Sequence, residues 1–249
     1  MTQLQHFQVC DDDGVRTITI DRPEVKNALT KTMRDGLCDL LAATDADSSI
    51  GVVIITAVDP VFSAGVDFKD IAAAGAESSV MNPARALREM ATPVICAVNG
   101  ACVSGALEIA LSCSFVIASD RARFADTHAR LGVIAGWGLT ALLPQAIGVR
   151  RARQMSITGD FVDATTALAW GLVNEVVPHG SLRDRAIEIA SHVATTAAVG
   201  EVLALYDCGQ SLTINEALTV EAEAARDRRT FDPAAFAAAG RTTAARQRT

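Results

Sequence analysis

The chain lacks an excess of positive charge. It carries 22 Lys and Arg against 29 Asp and Glu, a formal net charge of -7 and a pI near 5.1. Binding to nucleic acid needs a basic footprint, so this balance argues against a nucleic-acid partner but leaves room for a small anionic ligand held by local Lys or Arg. Paired cysteines are lacking too. Cys10, Cys38, Cys96, Cys102, Cys113 and Cys208 are scattered, with no CxxC spacing and no His cluster beside them. No metal site is expected, and most of these thiols read as small buried hydrophobes in a reducing compartment. The N-terminal MTQLQHFQV has neither a basic region nor an apolar run, so no secretory leader is expected and cytoplasm is the default location.

What remains is a chain of 249 residues, 50% apolar, 20% charged, with a mean hydropathy of +0.26. That length suits one large domain, or a core with a smaller appendage. The extra apolar content suits self-association. The most apolar stretch, Val94 to Ser119, contains one charge, Glu108. It is long enough to span a membrane, but Pro93, Asn99-Gly100, its serines and the central acid argue for a strand VICAV, a turn, a helix ALEIAL and a strand SFVIAS. A membrane partner is therefore not expected.

The rest of the chain alternates strand and helix signals. Phe7–Cys10 and Val15–Ile20 flank Asp12-Asp13-Gly14 as a hairpin, and Thr30 caps a helix running to about Ala46. Gly51–Thr56 reads as a buried strand, followed by a loop at Phe62–Gly65 and a helix from about Asp67. Further helices are expected near Pro83–Ala91, Gly138–Ile147, Val149–Ser156 and Ala164–Trp170, with strands at Arg123–Asp126 and Leu172–Val177. From about Ser181 only helical patterns remain, including Ile214–Arg229 and a stretch after Pro233. This predicts an α/β core over residues 1–195, built of ββα units, and a helical part over 196–249.

Two strand-to-helix turns can carry chemistry. In Phe62-Ser63-Ala64-Gly65-Val66-Asp67, Val66 lies where amides have no partner within a helix; Gly105 lies at a second such start. Two such N–H groups can converge on a developing oxyanion. Glu108 is three residues beyond Gly105, hence on the same helix face. Each turn alone reads as ordinary and Glu108 as a satisfied core acid; together they read as a site.

VFSAGVDFKDI followed by PVICAVNGACVSGALEIALSCSFVIAS resembles the paired signatures of the enoyl-CoA hydratase/isomerase (crotonase) superfamily. RPEVKNAL and TGDFVDATTALAWGLVNEVV match in type and order, so the resemblance covers roughly residues 5–195. It implies a crotonase-like spiral of ββα units with a helical C-terminal trimerisation region, in a homotrimer or a hexamer formed as a dimer of trimers. It implies an oxyanion hole for an acyl-CoA thioester, made by the Val66 and Gly105 amides, with Glu108 as catalytic acid/base. Coenzyme A enters as part of the substrate and no separate cofactor is implied. Lys26, Ala64, Asp67, Lys69, Gly136 and Trp137 are the positions expected to contact substrate, the two lysines through phosphates. Met81, Leu87 and Met90 suit either an acyl pocket or helix packing.

The sequence departs from the pattern at His128, where hydratases carry a second glutamate, and at Ser104, Ala106 and Ala135. His128 can accept a proton near neutral pH, with Asp126 on the same side if the strand stays regular; it reads equally as a structural histidine. The implied reaction is addition of water to a 2-enoyl-CoA, a carbon–oxygen lyase activity. Double-bond isomerisation, another enolate reaction, thioester hydrolysis and noncatalytic acyl-CoA binding stay open. So does serine hydrolysis, because the Clp proteases share the fold type and Ser104 lies 24 residues before His128. Gly136-Trp137-Gly138-Leu139-Thr140-Ala141 mimics a dinucleotide fingerprint, but the strand before it is weak and Pro144 is expected to interrupt the helix.

Overall fold

The computed structural model describes residues 5–70, 81–196 and 198–227. Nine strands are described: β1 (Phe7–Asp12), β2 (Val15–Ile20), β3 (Val52–Ala57), β4 (Val94–Val98), β5 (Ala101–Val103), β6 (Phe115–Ser119), β7 (Arg123–Ala125), β8 (Val162–Asp163) and β9 (Glu175–Val177). Among the helices are α1 (Lys31–Asp45), α2 (Pro83–Glu89), α3 (Gly105–Leu111), α4 (Leu139–Ile147), α5 (Val149–Thr158), α6 (Ala164–Trp170), α7 (Leu182–Ala194), α8 (Val199–Gly209) and α9 (Ile214–Asp227).

The strands form a six-stranded sheet in the order β1-β2-β3-β4-β6-β9 and a three-stranded sheet in the order β5-β7-β8. In the larger sheet only the β1–β2 pair is antiparallel. Parallel strands are covered on both faces, which is why VVIITA, VICAV and FVIAS are apolar almost throughout. Successive side chains alternate between the faces. Val53, Ile55, Cys96, Val98, Val116 and Ala118 enter the main core, whereas Val52, Ile54, Ile95, Ala97 and Ile117 pack with Leu182, Ala186 and Ala190 of α7. The apolar run containing Glu108 is thus β4, β5, α3 and β6, and among the described residues no single helix is long and apolar enough to cross a membrane.

The site is positioned by the way the chain leaves β4. At Gly100 a Cβ would lie 2.4 Å from the Pro60 carbonyl oxygen, so the two backbones pass at a distance only glycine allows. Beyond it β5 joins the small sheet through β7, and α3 carries the chain back to β6. Strands β5 and β8, three and two residues long, were not foreseen: such short pieces show no period. The strand expected over Leu172–Val177 starts only at Glu175. Leu172 and Val173 fill core positions, and Asn174 bonds Val116 through both its amide and its side-chain oxygen. The helix break expected at Pro144 does not occur. α4 runs through it, and Thr140, whose carbonyl the missing N–H would have met, is exposed to solvent.

By internal contacts the chain divides into two units, Met1–Gly200 and Glu201–Thr249. In the second, Thr213 and Glu216 form a reciprocal cap at the start of α9, and neither α8 nor α9 has a buried residue. The helical stretch expected after Pro233, and Arg228 and Arg229, lie outside the described residues.

Candidate active site

The loop after β3 is held from both sides. Buried Asn27, in the segment before α1, donates to the carbonyls of Val58 and Val61 at 2.9 and 2.8 Å and accepts the Arg22 amide at 2.8 Å. Ser63 is stitched alongside β5, its amide donating to Ala101 and its carbonyl accepting from Val103. Gly65 has φ +90, and a Cβ there would lie 2.7 Å from the Val103 carbonyl oxygen and 3.3 Å from the Gly105 nitrogen. Glycine therefore brings this loop against the start of α3.

That approach aims the next amide. The Gly65 carbonyl accepts from Leu29, and the Asp67 amide donates to Leu29, at 2.8 and 3.0 Å. In extended chain, neighbouring N–H groups point to opposite sides, so the Val66 amide faces away from Leu29. Gly105 opens α3, where the amide has no partner within the helix. Among the described residues, neither the Val66 nor the Gly105 amide donates to a protein acceptor. Trp137 walls the space: a Cβ at Gly105 would lie 3.2 Å from both Trp137 Cζ3 and Val66 Cγ2.

Glu108, one turn into α3, is 2% exposed. Its Oε1 accepts the amides of Trp137 and Leu139 at 2.6 and 3.2 Å. Gly138, at the N-cap of α4, has no side chain to satisfy that helix end, and the Glu108 carboxylate does so instead. Reading Glu108 as a satisfied core acid is therefore right for one oxygen. The other, Oε2, faces His128 Nε2 at 3.8 Å. Burial pushes the Glu108 carboxyl above its ordinary range, against the pull of the two amides.

His128 sits beyond β7, which ends at Ala125, so the regular strand expected over Asp126 stops short. The backbone turns (His128 φ −55, ψ −50) and the turn itself brings Asp126 Oδ1 within 2.6 Å of His128 Nδ1. That hydrogen bond raises the His128 pKa above its usual value, outweighing burial, with Glu108 adding to the rise. Burial works against the Asp126 charge, but bonds from His128 and Ser156 hold its carboxyl below the usual range.

The other expected positions separate by geometry. The Ala64 amide donates to the Lys26 carbonyl at 3.0 Å, joining those two segments, and among the described residues the Ala64 carbonyl accepts no hydrogen bond. Lys26 and Lys69 are exposed and form no ion pair among the described residues. Asp67 does not present a free group: Oδ2 takes Arg22 Nη1 at 2.7 Å and Oδ1 takes the Lys69 amide, so it fastens the loop. Gly136 is exposed, with nothing within 4 Å of where a Cβ would stand. Leu87 belongs to the main core and Met90 packs against it, which makes both helix-packing residues; Met81 is exposed.

Ser104 accepts the Thr127 amide at 3.0 Å and pairs with its hydroxyl at 2.8 Å, while His128 is engaged by Asp126. The Ser104–His128 pairing needed for serine hydrolysis is absent among the described residues. No strand directly precedes Gly136-Trp137-Gly138, which disposes of the dinucleotide motif. No group of three or more metal-ligating side chains occurs among the described residues. The roles of Arg22, Asn27 and Arg88, which hold the site's backbone, are not readable from the sequence; Arg22 and Asn27 lie inside the flagged motif RPEVKNAL, and Arg88 lies in none.

Residues 11–234 match the model of the enoyl-CoA hydratase/isomerase family. A probable peroxisomal enoyl-CoA hydratase 1 of Arabidopsis thaliana is 33% identical over 220 residues, covering 86% of this chain and 83% of that protein. A short-chain-enoyl-CoA hydratase of Clostridium acetobutylicum is 34% identical over 231 residues, covering 89% and 88%. The crystal structure of an enoyl-CoA hydratase from Mycobacterium tuberculosis H37Rv superposes with a TM-score of 0.76 at 43% identity, over 91% of this chain and all of that one (100%). A family model matched over most of the chain and relatives more than 30% identical over most of both lengths place it: the chain belongs to the enoyl-CoA hydratase/isomerase family.

Proposed function

We propose that the protein hydrates 2-enoyl-CoA thioesters. The observation that carries this reading is the free oxygen of Glu108 opposite His128 Nε2 at 3.8 Å. That gap is too long for a direct hydrogen bond, but an oxygen about 2.8 Å from each atom sits at the apex of a triangle across it, a fit for a water held by both. The Val66 and Gly105 amides receive the thioester oxygen. Each such donor is worth about 3–4 kcal/mol in a transition state that puts charge there.

Glu108 takes a proton from the water as its oxygen bonds to the β-carbon. The electrons of the carbon–carbon double bond pass to the thioester oxygen as an enolate. His128, protonated at Nε2, then protonates the α-carbon as the enolate collapses, and the proton on Glu108 returns to His128 to restore the site. Burial, which raises the proton affinity of Glu108, and Asp126, which raises that of His128, favour this division between base and acid.

The thioester substrate brings its own coenzyme A, so no separate cofactor enters the scheme. Lys26 and Lys69 are the cations proposed for its phosphates, and the Ala64 carbonyl is a backbone acceptor for the same moiety. A homotrimer or dimer of trimers fits the exposed apolar side chains of Ile134, Tyr206 and Ile214; light scattering on the purified protein measures it. A series of 2-enoyl-CoA chain lengths, followed by loss of conjugated thioester absorbance, tests the reaction. Turnover of a 3-enoyl-CoA without hydration would reassign the site to isomerisation. Tight binding with no turnover of any substrate would leave a binding protein.

A further inference from the structure

Asp126 is 3% exposed, and one of its oxygens, Oδ1, meets both the His128 amide at 3.2 Å and the His128 ring at Nδ1. An ionised carboxylate only accepts hydrogen bonds, so the contact at 2.6 Å places a proton on Nδ1. Nε2 is then the ring position whose proton comes and goes, and it is the nitrogen that faces Glu108. The turn is braced separately: Thr127, between the two residues, is tied through its amide and hydroxyl to Ser104 at the foot of α3. The Asp126–His128 pair is thus fixed relative to Gly105 and Glu108, which follow Ser104 in the chain.

We propose that Asp126 is the positioning residue of this site: it pins the proton on His128 Nδ1 and thereby makes Nε2 the proton donor opposite Glu108. The proposal rests on the hydration reading above and adds to it the residue that makes a histidine serve where a glutamate would otherwise stand. The groups acting on His128 come from three elements. Glu108 faces it from α3, Asp126 from the end of β7, and Ser156 of α5 supports Asp126 through a hydrogen bond. Arg130, two residues on, is engaged with Asp160. Asp126 touches no reacting atom and acts through His128 alone.

The test is Asp126→Asn, which keeps an oxygen acceptor and removes the charge, with Asp126→Glu as the variant that keeps the charge. Two readouts are taken on each. One is the titration of His128 by NMR, identified among the four histidines by its loss in His128→Gln. The other is the pH profile of kcat and KM for crotonyl-CoA. The expected result for Asp126→Asn is a lower His128 titration midpoint, an alkaline limb of kcat displaced to lower pH by the same amount, kcat down about 100-fold at neutral pH, and KM within about threefold. Asp126→Glu should recover part of both shifts. An unmoved His128 midpoint in Asp126→Asn overturns the proposal, as does a moved midpoint with an unmoved kcat profile. If the wild type shows the Asp126-dependent titration but no hydration of any enoyl-CoA, the hydration reading fails while the coupling of the pair stands.

Discussion

Arg88 donates to the carbonyl of Trp137 at 2.9 Å, and the amide of that tryptophan donates to Glu108 Oε1 at 2.6 Å. The same guanidinium nitrogen also reaches Ser112 Oγ at 2.8 Å, and Ser112 in turn donates to the Glu108 carbonyl. One side chain on α2 thereby ties the last turn of α3 to the loop that satisfies the catalytic candidate.

Arg88→Ala is expected to loosen that loop. Losing hydrogen bonds from a charged donor should cost about 1.5–3 kcal/mol of stability, read by urea unfolding. Because Glu108 would then be less well oriented, kcat for crotonyl-CoA should fall about tenfold or more. A variant as stable and as active as the wild type would remove Arg88 from the site's support.

Gly65 and Gly136 give opposite expectations for the same substitution. Gly65→Ala puts a Cβ 2.7 Å from the Val103 carbonyl oxygen in a residue with φ +90. The backbone must shift, at a cost of about 1–3 kcal/mol for the strained conformation alone, and the Val66 amide shifts with it. Hydration should fall by at least about 100-fold. Gly136→Ala meets nothing within 4 Å and should stay within about 0.5 kcal/mol of wild type. Equal effects at the two positions would contradict the assignment of Gly65 to the oxyanion loop.

Glu108 carries a stability cost that depends on pH. Its carboxyl is held above the ordinary glutamate value, mainly by burial, so the folded protein binds its proton more tightly than the unfolded chain does. Stability from this group is present below that value and is lost as pH rises through the higher folded pKa. Glu108→Gln keeps an oxygen for the Trp137 and Leu139 amides and removes the charge. Its melting temperature should exceed that of wild type at pH 8, and the difference should shrink towards pH 4. A variant less stable than wild type at pH 8 would show that the carboxylate's charge is a net support to the fold.

Much of this was legible in the sequence because burial leaves a direct mark on it. VVIIT, VICAV and FVIAS are apolar on both faces, so their strands could be placed, and a single acid in that run was conspicuous. Gly65 and Gly105 were legible because a close backbone approach requires glycine. The site's supports were not. Arg88 lies 49 positions from Trp137 and Arg22 45 from Asp67, and nothing local distinguishes an arginine bonded across the fold from one in water. Sequence spacing makes Asp126 a strand neighbour of His128, yet the contact is made by a turn, and a spacing of two suits both. β5 was lost for a related reason, since three residues between a turn and a helix are too few to show alternation.

The most direct test of the account is single-turnover hydration of crotonyl-CoA by wild type and Glu108→Gln, with thioester binding titrated in parallel. The account predicts that binding persists while the hydration rate falls by at least about 1,000-fold, since the variant keeps the α4 cap and loses the base. Hydration by Glu108→Gln at the wild-type rate would contradict it.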